Sequence, residues 1–257
     1  MARTRAKKAM PMPLEAPFPP VAERAAALNA RYRHHAASAV LRHALQDPML
    51  GPVAMVSSFG AESAVLLHML AQIDRSVPVL FIDTQMLFAE TLQYQTDLAQ
   101  HLGLSNVQRV QATPAQLAKT DPQNTLHQTN SDACCALRKT QPLQAALAPF
   151  DAWITGRKRF QGQTRAELQF FEPDGQGRLK INPLAHWAPG DVADYRINNR
   201  LPPHPLVARG YPSIGCAPCT SPVAAGEDPR AGRWRGQGKT ECGIHIVDGK
   251  IQRKGAA

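Results

Sequence analysis

Nothing in this sequence runs apolar for the 18 residues or more that a membrane-crossing helix needs, so no segment is expected to span a bilayer. The opening MARTRAKKAMPMPLEAPFPP is basic and then proline-rich, and it lacks the apolar centre of a secretory signal. Poor in serine and carrying an acid, it reads as a disordered tail rather than a transit peptide. An even set of cysteines is also missing. There are five, with no export signal, which argues against a disulfide framework and for thiols kept reduced in the cytoplasm. Internal repeats are absent. Acids are outnumbered, leaving a formal net charge of +9, which suits either nucleic acid or a small polyanion.

What is present is enough chain, at 257 residues, for one domain with extensions and a full core. Residues 21–46 are rich in Ala, Leu and Arg and read as one or two helices. Short apolar runs at 52–58, 77–83, 106–110 and 151–156 read as strands, with helical patterns such as AVLLHML and LFAETLQYQTDLAQHLG between them. That alternation predicts a parallel sheet with right-handed crossovers. CCALRKTQPLQAAL reads as a helix that Pro142 kinks or begins, LQFFEPDGQGRLKINPL as a hairpin turning at Asp174–Gly177, and APGDVADYRINNR as a last helix. The expected layout is a tail over 1–20, a nucleotide-binding α/β domain over 21–200, and a loop-rich C-terminal arm over 201–257.

Three groups of residues carry chemistry. SSFGAES, Ser57 to Ser63, lies where a strand passes into a helix, where hydroxyls and free amides make an anion cradle. It has no Lys-Ser/Thr pair, so it is not a Walker A loop, and it also reads as an ordinary capped turn. RKRFQGQTR places Arg157, Lys158, Arg159 and Arg165 after a strand, at the sheet edge where such folds bind ligands; a second basic group, Arg230, Arg233, Arg235 and Lys239, leads to Cys242. Four cysteines fall in pairs, Cys134–Cys135 and Cys216–Cys219. Four thiolates suit an iron–sulfur cube, while zinc and plain buried thiols stay open. Cys242, beside Lys239 and His245, has the cationic neighbours that favour a thiolate.

Taken in order, SSFGAES, FIDTQMLFAETLQY, CCALRKTQPL, WITGRKRFQGQTR, GCAPCTSPV, RAGRW and KTECGIH resemble the assimilatory adenylyl-sulfate (APS) and phosphoadenylyl-sulfate (PAPS) reductases, from about Pro52 to His245. The cysteine pairs resemble those of the cluster-bearing branch, whose members generally use APS. The resemblance implies an adenine-nucleotide α-hydrolase-like, Rossmann-like parallel sheet. It implies substrate contacts at Ser57, Ser58, Phe59, Gly60, Ala61, Glu62, Ser63, Asp83, Thr84, Lys139, Gly156, Arg157, Arg159, Arg165, Arg230, Arg233 and His245. It implies a [4Fe-4S] cluster on Cys134, Cys135, Cys216 and Cys219, and Cys242 as the nucleophile.

The activity implied is reduction of APS to sulfite and AMP through an S-sulfocysteine on Cys242, in sulfate assimilation and cysteine biosynthesis, with PAPS or both nucleotides as the alternative substrate. Thioredoxin is the implied electron donor. No fused thioredoxin-like domain follows ECGIH, so the reductant is expected to be a separate protein. Neither nucleic acid nor membrane is expected as a partner, and self-association stays open. Gln85 departs from the family's Asp-Thr-Gly turn and puts the Asp83–Thr84 assignment in question. Two rivals stand against this reading. A PP-loop enzyme thiolating tRNA would have a doubled glycine that SSFGAES lacks, and a zinc-stabilised nucleic-acid module would leave KTECGIH unexplained.

Overall fold

A six-stranded sheet in the order β3-β2-β1-β4-β6-β5 organises the protein, described here by a computed structural model over residues 18–237 and Lys239. The strands are β1 (Val53–Ser57), β2 (Val79–Ile82), β3 (Val107–Val110), β4 (Ala152–Ile154), β5 (Phe171–Pro173) and β6 (Leu179–Ile181). All neighbours pair in parallel except β5, which returns antiparallel to β6 as the expected hairpin. The α/β class and the mainly parallel sheet are therefore as expected. No helix among the described residues is long and apolar enough to cross a membrane.

Before β1 lie α1 (Val21–Tyr32) and α2 (Ala37–Ala44); between strands run α3 (Ser63–Ala71), α4 (Ala89–Leu102), α5 (Pro114–Thr120), α6 (Leu126–Thr129), α7 (Ser131–Cys135) and α8 (Gln141–Ala146); α9 (Pro189–Asn198) follows β6. Both faces of the sheet are covered, which explains strands with almost no polar alternation. One face carries Met55, Val79, Phe81, Ile154 and Ile181 into a core completed by α1 to α4 and α9. The other places Ala54, Leu80, Ile82 and Trp153 against Leu143 and Leu147. Each fully buried aliphatic side chain here contributes on the order of 2 kcal/mol. The free edge at β5 is closed by Asn29 of α1, whose side chain donates to Phe171 O (2.8 Å) and accepts from Phe171 N (3.0 Å).

The stretch read as one helix over 134–147 is three pieces. A π-helical turn, Ala136–Thr140, separates α7 from α8, and Pro142 lies in the first turn of α8, where its missing N–H costs nothing. The helices α5 and α6 were not anticipated, because neither buries a residue and so neither prints an apolar period. Past Leu201 the chain continues in short 3-10 turns, Pro205–Arg209 and Ala217–Cys219. An isolated bridge between Leu87 and Cys216 ties this arm to the segment after β2, and a second, Thr220 with Arg233, closes the arm on itself.

Candidate active site between the β1 and β4 strand ends

Strand order reverses between β1 and β4, since β2 and β3 lie on one side and β6 and β5 on the other. Parallel sheets bind ligands at such a point, outside the carboxyl ends of the strands. A cleft of about 210 Å³ opens there. Its first wall is the loop from β1 into α3: Ser57, Ser58, Gly60, Ala61, Glu62 and Ser63. Phe59, the remaining member of that run, turns into the core. It holds a left-handed backbone (φ 48°), its ring meets Phe81 edge-on at 5.3 Å, and its N–H donates to Ser57 Oγ (3.1 Å). The large side chain thus anchors the loop, and only its backbone is available to a ligand. The amino end of α3 faces the same cleft and adds partial positive charge.

The second wall follows β4. Thr155, Gly156, Arg157, Lys158, Gln161 and Arg165 all line the cleft. Arg157 is held by Glu172 and by Asn182 Oδ1. Lys158 is buried, with Nζ 2.8 Å from Glu62 Oε2 and 3.0 Å from Gly156 O. Burial pushes the Lys158 pKa down, against the opposing pull of Glu62. Arg159 leaves the site: its Nε donates to Leu168 O (2.8 Å), and it is absent from the lining. The third wall is the arm, through Pro212, Ser213, Ile214, Arg230 and Arg233.

Next to the cleft lies a second, smaller pocket. It is lined by Cys134, Cys135, Cys216 and Cys219 together with Thr84, Arg138, Lys139, Arg233 and Trp234. Four cysteines from two distant segments therefore converge as their pairing suggested, and all four are free thiols. They surround the pocket rather than meet at a point; among the described residues no three His, Cys, Asp or Glu side chains group as a single ion would need. Burial pushes the Cys134 and Cys219 thiols up, while Arg138 opposes this at Cys134 and Lys139, Arg233 and Lys239 oppose it at Cys219. Thr84 Oγ1 lies 3.2 Å from Cys216 Sγ, and Lys239 Nζ lies 3.3 Å from Cys135 Sγ.

Arg233 lines both pockets. Its NH1 donates to Ile214 O (3.1 Å) and its guanidinium lies over Trp234 at 4.5 Å. The side chain crosses Gly215 so closely that a Cβ there would meet the guanidinium at 2.4 Å, so a larger residue at 215 would have to push Arg233 aside.

Asp83 and Thr84 do not line the cleft. Asp83 accepts from Gln85 N (2.8 Å) and Gln111 Nε2 (2.7 Å), and Thr84 belongs to the cysteine pocket. Gln85 takes a left-handed backbone (φ 59°) at a cost of about 1 kcal/mol. Its amide swings aside to donate to Ala112 O (3.0 Å) and does not crowd the turn. Cys242 and His245 lie outside the described residues. The sequence reading missed Gln161, Arg138 and Trp234. Gln161 stood inside the quoted basic loop, three residues after Lys158, and was passed over because it carries no charge.

An α/β domain with a basic cleft at its strand-order reversal has the architecture of a nucleotide-binding fold, here with a cysteine-lined pocket beside the cleft. The phosphoadenosine phosphosulfate reductase domain family matches residues 52–222. An adenosine 5'-phosphosulfate reductase of Mesorhizobium japonicum is 53% identical over 88% of this chain and 89% of its own. A phosphoadenosine 5'-phosphosulfate reductase of Gloeobacter violaceus is 42% identical over 74% and 81%. A crystal structure of phosphoadenylyl-sulfate reductase from Candida auris, a phosphate complex, superposes with a TM-score of 0.65 at 27% identity, covering 78% of this chain and 97% of that one. The chain belongs to the phosphoadenosine phosphosulfate reductase family and is an oxidoreductase acting on a sulfur group.

Proposed function

We propose that this protein reduces adenosine 5'-phosphosulfate to sulfite and AMP in sulfate assimilation, drawing two electrons from thioredoxin in the cytoplasm. The observation that carries the reading is Arg233, one guanidinium lining both the nucleotide-sized cleft and the cysteine pocket. The names of the relatives at 51–53% identity support APS as the nucleotide.

In this reading the amides and hydroxyls of Ser57 to Ser63 receive the phosphate side of the nucleotide, and the apolar floor of Met55, Leu66 and Leu67 receives its base. Arg165, Arg230 and Arg233 bind the phosphosulfate. The Cys242 thiolate attacks the sulfonate sulfur, the bond from that sulfur to the phosphate oxygen breaks, and AMP leaves with the electron pair. An enzyme S-sulfocysteine remains. Two anions must meet in this step, and the surrounding guanidinium groups offset a repulsion of several kcal/mol at low effective dielectric. A thioredoxin thiolate then attacks Cys242 Sγ and sulfite departs. The second thioredoxin thiol resolves the mixed disulfide and returns Cys242 as a thiolate.

Cys134, Cys135, Cys216 and Cys219 would hold a [4Fe-4S] cluster. Four thiols lining one pocket, two of them adjacent in sequence, suit the separated corners of such a cluster. When bound, the cluster supplies a fixed anionic body whose charge Lys139 and Arg233 answer. Lys139 and Arg233 both line that pocket, and Arg233 also reaches the cleft.

The test is protein prepared anaerobically and assayed with APS and PAPS at equal concentration with reduced thioredoxin. Sulfite from APS with the higher kcat/KM is expected. An equal or higher value for PAPS overturns the substrate, and no sulfite from either overturns the reading.

A further inference from the structure

A cleft for a polyanion has no obvious use for a carboxylate, yet Glu62 stands in the middle of the loop after β1 and lines that cleft. Its contacts all go to the opposite wall. Glu62 Oε2 accepts from Lys158 Nζ at 2.8 Å and from Gln161 Nε2 at 2.8 Å. Gln161 Oε1 in turn accepts from Lys158 N at 3.1 Å and from Arg165 NH1 at 2.5 Å. Lys158, with a side chain 2% exposed, completes the set by donating to Gly156 O. The loop over 157–165 also meets its surroundings through the Arg159 N to Ala185 O bond (3.0 Å) and the Arg157 contacts to Asn182 and Glu172.

We propose that Glu62 is a positioning residue: it latches the basic loop onto the loop after β1 and uses the charge of Lys158 to do so. Lys158 therefore answers a carboxylate of its own chain rather than the substrate. Gln161 relays the latch to Arg165 and sets where that guanidinium stands in the cleft. A buried ammonium is costly when alone, and the Glu62 carboxylate 2.8 Å from Lys158 Nζ offsets that cost. The arrangement also explains why a loop of four cations carries a glutamine at position 161. The neutral amide is the piece that contacts the carboxylate and the arginine at once. This deepens the reductase reading by assigning the carboxylate's part in that cleft, and the latch can be read without any turnover.

The experiment uses the full chain, prepared anaerobically, and two readouts. The first is limited trypsin digestion, scored by mass spectrometry for cuts after Lys158, Arg159 and Arg165. Glu62→Ala is expected to be cut there several-fold faster than the parent. Glu62→Gln, which can keep one oxygen as acceptor for both Lys158 and Gln161 but removes the charge, is expected to fall between. The second is steady-state reduction of APS. Glu62→Ala and Lys158→Met are each expected to lower kcat/KM about tenfold, mostly through KM, and the double variant is expected to be no worse than either, as for two residues acting through one contact. If Glu62→Ala does not fold, Glu62→Gln decides by the same two readouts. Unchanged cutting with a raised KM would overturn the latch and make Glu62 a direct substrate contact. Unchanged cutting and unchanged KM would remove Glu62 from the site altogether. Faster cutting with no activity in the parent would leave the latch standing and the reductase reading fallen.

Discussion

Lys239 and Asp132 meet at the lip of the cysteine pocket, ammonium to carboxylate at 2.8 Å. Lys239 also donates to Ser131 O and lies over the Trp234 ring at 5.5 Å, so this lysine ends the described arm with its charge turned to α7 rather than to the cleft. Burial opposes its charge, but Asp132 and Cys135 outweigh that and raise its pKa. Lys239 stands three positions before Cys242. Lys239→Ala is expected to slow formation of the sulfocysteine about tenfold in single turnover, in line with loss of a partly buried ion pair, and Lys239→Arg to recover most of it. Equal rates in all three proteins would remove the anchoring role.

Cys242→Ser is expected to abolish sulfite production while nucleotide affinity changes by less than about threefold, because one sulfur is lost and little binding surface. Incubation of the parent with APS and no reductant is expected to add a single SO3 mass at Cys242, removable by reduced thioredoxin. An adduct found on Cys135 instead would refute the two-step scheme.

Anaerobic protein is expected to be brown with four iron and four sulfide per chain. Cys134→Ser and Cys216→Ser are each expected to lose colour and activity together, since each supplies one corner of the same pocket. One zinc and no iron by elemental analysis would count against the cluster.

Lys180 offers a stability test away from the chemistry. It is 1% exposed, its ammonium lies 5.4 Å over Trp153, and Nζ has no hydrogen-bond acceptor among the described residues. Burial, aided by Arg157, pushes its pKa down to about 8. A folded pKa below the unfolded value of about 10.4 means the folded state binds fewer protons between those limits. Stability is therefore gained as pH rises from 8 toward 10.4 and lost as pH falls back through 8. Lys180→Met is expected to be more stable than the parent by roughly 1–3 kcal/mol at pH 7, with the gap narrowing by pH 10. A less stable variant at pH 7 would show that Lys180 makes a net favourable contact.

Strands were legible because buried parallel strands leave short apolar runs, as at Val79–Ile82, where all four residues are buried. The cysteine pocket was legible from spacing alone, since Cys216 and Cys219 bracket one 3-10 turn and Cys134 and Cys135 close one helix. Individual members of a charged run were not. Lys158 is extended (φ -137°, ψ 150°), and its neighbours Arg157 and Arg159 find different partners, one at the cleft and one at Leu168. Nor does composition show that Glu62, expected with the substrate residues and lining the cleft, also meets Lys158 and Gln161 across it. Asp83 and Thr84 were displaced for a related reason. A turn at the end of β2 faces whatever the arm lays against it, and that is Cys216, 132 positions further along the chain from Thr84.

The Leu87–Cys216 bridge has a consequence for how the molecule is made. Cys216 follows Cys135 by 81 positions, and the wall that carries Arg230 and Arg233 is later still. Synthesis proceeds from the amino end at roughly 5–20 residues per second, so the sheet strands emerge seconds before the arm that finishes the site. During that interval Cys134 and Cys135 stand without their counterparts, and the pocket has only one of its two cysteine walls. Completing it waits for the ribosome to finish nearly the whole chain. A nascent protein stalled before residue 216 would carry two thiols and no pocket.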